Sequence, residues 1–390
     1  MQLIRTNFFN TLKENHSNIK GYKQLNYTPN NKILSDFEGK IDDNTILNKV
    51  ISNMLFPSYL KPEFSNEPNT KIAIIPQKKI TGYSILLKDS KNIEDFLLKE
   101  YNSRYRKEIR RHLGKFEACF NANYKMFFGK ISKEDYDFLM GSLHNMLIRR
   151  FNQRNDKNKI LENWDYYLKT TFSLINSKKA SIYVIYDGTK PVQISFNFHI
   201  DKILFISITS YNIDYQKFSM GNNAIYKLLE WSIENGYNHV DMEYGYLHYK
   251  QKWSNFIYSY DQHVIFSKSS PMMIALAFVE IHRIKFKNLL KSLNIDDLIK
   301  KIKEKIKSKS IPEKQVTFEK EIIENLNTTQ LNLIHKHEND EDYFKIKPAV
   351  FDFLYYHREH IDSIKIFKDK TNNSEYYLIG KTKTEKIKLH

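Results

Sequence analysis

Cysteine is nearly missing from this chain. Cys119 stands alone among 390 residues, which excludes an internal disulfide framework and any cysteine-based zinc cage and fits a reducing compartment. Glycine and proline are scarce, at 11 and 9, so collagenous and proline-rich linker material is excluded. Long apolar runs are missing too. The longest, Met272 to Val279, has eight residues, against the roughly 20 that cross a bilayer. The opening stretch from Met1 to Asn10 turns polar at once and does not read as a signal peptide. The expectation is a cytoplasmic protein with no membrane span.

Arginine is the last scarcity. Counting gives 10 Arg against 51 Lys, and the net charge is 61 − 45 = +16. A basic surplus can mark nucleic acid, anionic lipid or a polyphosphate. Surfaces that read phosphates and bases favour the bidentate arginine fork, so a surplus carried by lysine reads as mainly compositional, and local clusters matter more than the total. What the chain does have is apolar and aromatic content, 41% hydrophobic and 14% aromatic. That is enough for a large core in two or three domains.

Along residues 1–95, short apolar runs alternate with turn chemistry: Lys71 to Ile75 closed by Pro76, and Tyr83 to Leu87 after Thr81-Gly82. They read as strands of a first α/β unit. From Asn92 to Phe120 the apolar residues fall three or four apart, which predicts a helix that is basic on its outer side. A strand at Tyr124–Gly129 and helices at Lys133–Arg150 and Leu161–Asn176 follow. Ala180–Tyr186, Val192–Ile200 and Ile203–Tyr211 read as three antiparallel strands on the turns at Asp187-Gly188 and Asp201-Lys202. A helix from Gly221 stops at Gly236, a strand runs from His239 to Tyr244, and a strand pair is expected around Ile257–Phe266. After Pro271 the chain is helical and basic, with 10 Lys plus Arg against 3 acids between Arg283 and Lys309. A short helix near Glu319–His337 and an apolar cluster at Phe351–Phe367 complete the reading.

The chemistry concentrates between Tyr183 and Trp253. A strand, the small-residue loop Gln216-Lys-Phe-Ser219-Met220-Gly221 and a helix start succeed one another, so unpaired main-chain N–H groups and the positive end of a helix dipole meet there. Such a junction can hold a pyrophosphate; it is also what an ordinary N-cap looks like. On the strand His239–Tyr244, alternation places His239, Asp241 and Glu243 on one face. Two carboxylates then share a side, and one can serve as a base. Pairing of Asp241 with Lys250, or a turn-capping role, is the alternative, and Glu243 can equally be a solvated edge residue. Tyr249 is a candidate proton donor, Lys250 a candidate phosphate contact, and either can instead be structural. Trp253 reads as core, Cys119 as a buried thiol beside Phe116 and Phe120, and no histidine pair has metal-site spacing.

Three pieces together resemble the GNAT superfamily of N-acetyltransferases. The loop pattern of Gln or Arg, two residues, Gly, one residue, then Gly or Ala is met by Gln216, Ser219 and Gly221, with Ser219 where Gly is usual. The basic helix Ser103–His112 and the ending Asp241-Met-Glu243-Tyr-Gly245 to Tyr249-Lys250 and Trp253 are similar to the cellulose-biosynthesis-type branch, which also resembles Fem peptidyltransferases. Tyr246 departs from a position often acidic there, and Glu243 and Tyr244 from positions often small or basic. The resemblance covers roughly residues 100–265.

It implies a mixed α/β fold: a GNAT-like mixed sheet flanked by helices, as two related units plus a helical C-terminal appendage. The expected division is an N-terminal, degenerate unit at 1–94, the acyltransferase domain at 95–268, a basic helical segment at 269–310 and an extension at 311–390. The implied activity is transfer from acetyl-CoA or another acyl-CoA, without a metal, to an amine acceptor such as an amino sugar of an envelope polysaccharide. Ser219, Met220, Gly221, Asn222 and Asn223, with Gln216 and Lys250, would hold the cofactor. Asp241 or Glu243 would act as base and Tyr249 as acid. Two rivals stay open: an aminoacyl-tRNA-dependent peptidyltransferase using the basic helices, and a non-catalytic binding protein. The segment 272–309 also suits peripheral contact with anionic lipid, though an ordinary packed helix with a charged outer side has the same pattern.

Overall fold

The computed structural model describes residues 2–14, 22–29, 32–34, 49–64, 69–154, 159–294, 317–323, 326, 331–334 and 340–390. The chain runs through β1 (Gln2–Asn7), α1 (Phe8–Glu14), β2 (Tyr22–Tyr27), β3 (Lys32–Ile33), β4 (Lys49–Pro57), β5 (Leu60–Phe64) and β6 (Thr70–Leu86). Then come α2 (Ile93–Glu100), α3 (Ser103–Cys119), β7 (Ala122–Phe127), α4 (Lys133–Arg154), α5 (Lys159–Glu162) and α6 (Trp164–Asn176). The next stretch is β8 (Ala180–Asp187), β9 (Lys190–Ile200), β10 (Ile203–Tyr211), α7 (Met220–Glu234), β11 (His239–Tyr244), α8 (His248–Trp253) and β12 (Phe256–Ser267). It ends with α9 (Pro271–Ser292), β13 (Phe318–Ile322), β14 (Leu331–Ile334), α10 (Glu341–His357), β15 (Lys365–Asp369), β16 (Glu375–Ile379) and β17 (Thr384–Leu389).

Nine strands form one mixed sheet in the order β1-β4-β12-β6-β11-β10-β9-β8-β7, flanked by helices on both faces, as a GNAT-like fold requires. The expected boundary after residue 94 is not a break in it. β6, from the N-terminal segment, lies between β11 and β12 and pairs antiparallel with both. β12 is one strand rather than a pair. Thr81-Gly82 is no turn either: β6 continues through it for 17 residues, because a Cβ on Gly82 would sit 2.2 Å from the Tyr258 ring and only glycine admits that approach.

The β8–β9–β10 meander matches its sequence pattern, with Gly188 and Asp201 at positive φ in the two turns. The expected helix over 92–120 divides into α2 and α3, each opened by an asparagine, Asn92 and Asn102, whose side chain accepts the amide three residues on. On one face of the sheet, α2, α3, α7, α8 and α10 bury Phe96, Phe116, Leu228, Leu229 and Trp253; each such side chain contributes about 1.5–3 kcal/mol. On the other, α1, α4 and α6 cover Phe196, Phe205 and Tyr260.

The helix expected near Glu319–His337 is replaced, within its described part, by β13 and β14. These join a five-stranded antiparallel sheet in the order β13-β17-β16-β15-β14, so pairing with distant strands overrides local pattern. The lysines from 300 to 309 lie outside the described residues.

Candidate active site

β10 and β11 are parallel neighbours over three pairs only, Ile203–His239, Leu204–Val240 and Phe205–Asp241. Beyond them both strands are irregular, between Ile206 and Ile208 and between Asp241 and Tyr244. There they stop pairing, and a cavity of about 530 Å³ opens, walled by Ile206–Thr209 and Tyr211 on one strand and Met242–Tyr244 on the other. Gln216, Ser219, Met220, Gly221 and Asn222 line it, as do Leu247, Tyr249 and Lys250. Of the ten residues expected to hold the cofactor or act in catalysis, only Asn223 and Asp241 do not reach the wall. Asn223 is buried, with its side chain donating to the Phe218 carbonyl at 3.1 Å.

The junction ahead of α7 is tighter than its sequence implies. A short 3₁₀ turn, Ile213–Phe218, leads into Ser219, which holds φ 54° and ψ 44°, the left-handed region where glycine is the easy occupant. The expectation that all amides from Ser219 to Asn223 face a ligand is corrected. The Ser219 amide donates to Gln216, and those of Asn222 and Asn223 both donate to the Ser219 carbonyl, at 2.8 and 3.1 Å. Among the described residues no acceptor takes the amides of Met220 and Gly221, so these two remain for an anion at the helix start. Asn222 accepts the Trp253 indole N–H at 3.0 Å, which staples this first turn to α8, the helix carrying Tyr249 and Lys250.

Asp241 is wholly buried on the far side of β11 from α7. Tyr59 donates to its Oδ2 at 2.7 Å, Tyr258 to both oxygens at 2.7 and 2.9 Å, and the Glu243 amide to Oδ1 at 2.6 Å. Burial outweighs these bonds and pushes the carboxyl up to about 6. His239, two residues before it, is equally buried and is pushed down to about 3 by loss of solvent. Strict alternation ends here. Glu243 has φ 60°, so Glu243 reaches the cavity wall while Asp241 stays in the tyrosine cluster. The two carboxylates do not share a site.

Tyr249 keeps its proton: burial raises the phenol above its ordinary value, against the lowering effect of Arg150 and Arg154. Lys250 is mostly buried and donates to the Tyr244 carbonyl at 3.0 Å, which ties the chain between β11 and α8. Cys119 is buried against the Leu354 carbonyl, and its thiol is pushed up to about 11, so it is no nucleophile. The basic helix α3 lies outside the cavity; Arg110 pairs with Glu94, and Lys115 donates to the Tyr355 carbonyl. Among the described residues no group of three or more metal-ligating side chains occurs.

Sequence reasoning missed Arg150 and Arg154, one helical turn apart at the end of α4 and both on the cavity wall. Arg150 lies 4.7 Å over the Tyr211 ring. Their signal was the scarcity of arginine itself, since three of the ten fall within residues 149–154.

Residues 103–251 match the family model described as acetyltransferase (GNAT) domain, within the segment whose motifs carry the resemblance. No curated protein matches the chain. Similar solved structures include the C-terminal domain (DUF2156) of a putative lysylphosphatidylglycerol synthetase from Agrobacterium fabrum, 10% identical over 60% of this chain and 72% of that one, TM-score 0.38. L-PGS from Bacillus licheniformis is 15% identical over 58% and 72%, TM-score 0.35, and FemX is 8% identical over 52% and 65%, TM-score 0.39.

Proposed function

We propose that the cavity between β10 and β11 transfers an acyl group from an acyl-CoA, acetyl-CoA in the first instance, to an amine. The observation that carries this reading is that Met220 and Gly221, whose amides have no acceptor among the described residues, line the same cavity as Arg150 and Arg154. Two main-chain donors at a helix start and two guanidinium groups suit a diphosphate. The parted strands leave a slot beside it for the thioester.

In the step itself, the amine nitrogen forms a bond to the acyl carbon as the carbon–sulfur bond breaks. Glu243 takes a proton from the amine, and Tyr249 gives its proton to the departing sulfur. Asp241 acts at one remove, by fixing the Glu243 amide. Gln216 flanks the diphosphate, and Lys250 holds the Tyr244 carbonyl. An amino sugar of an envelope polysaccharide is the proposed acceptor, with the cytoplasm as the place of reaction.

Incubation with acetyl-CoA and a panel of amino sugars, read by mass spectrometry, tests the proposal. Acylated amine and free CoA in equal amounts, both lost in Glu243→Gln, support it. Product formed only from aminoacyl-tRNA would replace it with peptidyl transfer.

A further inference from the structure

α9 carries apolar residues on two opposite sides. One side is core: Met273, Ala277 and Ile284 are buried against Val50, Ile75, Val264 and Phe266 of the sheet. Glu280 anchors that face through Ser52 at 3.0 Å and through Arg5 and Arg283 at 2.8 and 2.7 Å. The other side faces solvent. Met272, Phe278, Val279, Phe286, Leu289 and Leu293, the last at its C-terminal cap, are each between 53% and 63% exposed. At about 100° per residue they fall within a sector of about 120°, directly across the helix from the buried face.

Single exposed apolar residues need no explanation, but a continuous stripe of six on one helix does. Charge identifies what suits it. Glu280, the sole carboxylate of α9, is buried and paired with Arg5 and Arg283, so the cations left to flank the stripe are Lys285 on one side and Lys287 on the other. Packing two copies stripe to stripe would bring like charges together with no partner between them. An anionic bilayer satisfies both features, because the stripe enters the acyl boundary and the flanking cations reach lipid phosphates. The sequence that follows, residues 295–309, adds six lysines against three acids, a further net positive charge of the kind anionic lipid attracts.

We propose that the solvent-facing side of α9 docks this protein on an anionic membrane surface, lying on it rather than crossing it. Among the described residues, no helix is long and apolar enough to cross a membrane. This proposal is independent of the acyl-transfer reading, since none of the six residues lines the cavity.

Flotation of the full chain with vesicles tests it, using phosphatidylcholine alone and phosphatidylcholine containing about one-third phosphatidylglycerol. Binding is expected to the anionic vesicles, weakened by high salt and nearly absent with the neutral ones. Phe278→Ser/Phe286→Ser/Leu289→Ser keeps every charge and should weaken binding by about tenfold or more. Lys285→Gln/Lys287→Gln, which leaves the apolar stripe intact, should weaken it as well, and circular dichroism checks that each variant is folded. Failure to float with anionic vesicles at low salt overturns the proposal. So does undiminished flotation of both variants, or a concentration-dependent dimer abolished by the serine substitutions.

Discussion

The Asp241 carboxylate accepts the Glu243 main-chain amide at 2.6 Å. That bond closes over the left-handed residue of β11, Glu243 at φ 60°, and separates the two carboxylates. Asp241 remains in the tyrosine cluster, and Glu243 stands at the cavity. Under the proposed acyl transfer, Asp241 positions and Glu243 reacts.

Glu243→Gln should therefore lower kcat by about 10²–10⁴-fold, the range for loss of a general base, while donor affinity stays within about twofold. Steady-state kinetics alongside a donor-binding isotherm separate these effects. A variant that lost donor affinity but kept kcat would place Glu243 in binding instead.

Asp241 should leave a signature in stability. Its folded value, about 6, lies above the unfolded value of about 3.9. The protonated carboxyl therefore fits the fold better than the ionised one. Its contribution is full below about pH 4 and is lost as pH rises to about 6, on the order of 3 kcal/mol in all. Asp241→Asn abolishes this titration, so the Tm of the variant minus that of the wild type should climb between pH 4 and pH 6 and then level off. A flat difference across that window contradicts the assignment.

Gly82 supports the same cluster from β6. Gly82→Ala puts a methyl into the Tyr258 ring, whose hydroxyl holds Asp241, and should cost about 3 kcal/mol. Chemical denaturation measures this, and an unchanged midpoint would show that the ring moves aside freely.

Much of this architecture was legible in the sequence. The β8–β9–β10 meander carries its own turns, and α7 carries its own stop at Gly236, where φ is 68° and the Tyr237 amide returns to the Ser232 carbonyl at 2.9 Å. Gln216, Ser219, Gly221, Glu243, Tyr249 and Lys250 do line one cavity. What local pattern could not show depends on distant partners. Asp241 is held by Tyr59, 182 positions away, so its burial has no trace in the alternation of β11. Gly82 looks like a turn until Tyr258 is laid against it. β13 is a strand because β17 pairs with it. Arg150 and Arg154 were missed because α4 is amphipathic in the ordinary way, and only contact with β10 makes its last turn part of the site.

Gly221 separates stability from binding. It sits in the first turn of α7 with open space where a Cβ would project, so Gly221→Ala should stabilise the fold by about 0.5–1 kcal/mol. The methyl would lie beside the two available amides, and donor affinity should fall by about tenfold. A raised Tm with unweakened donor binding would move the diphosphate away from this turn.

Calorimetric titration with acetyl-CoA, longer acyl-CoAs and aminoacyl-tRNA, on the wild type and on Arg150→Ala/Arg154→Ala, tests the central claim most directly. A diphosphate held by two guanidinium groups and the start of α7 predicts saturable heat with a CoA thioester. Affinity should fall by about 10²-fold in the double variant, with weaker binding as salt is added. No heat with any CoA thioester, or equal affinity in wild type and variant, contradicts it.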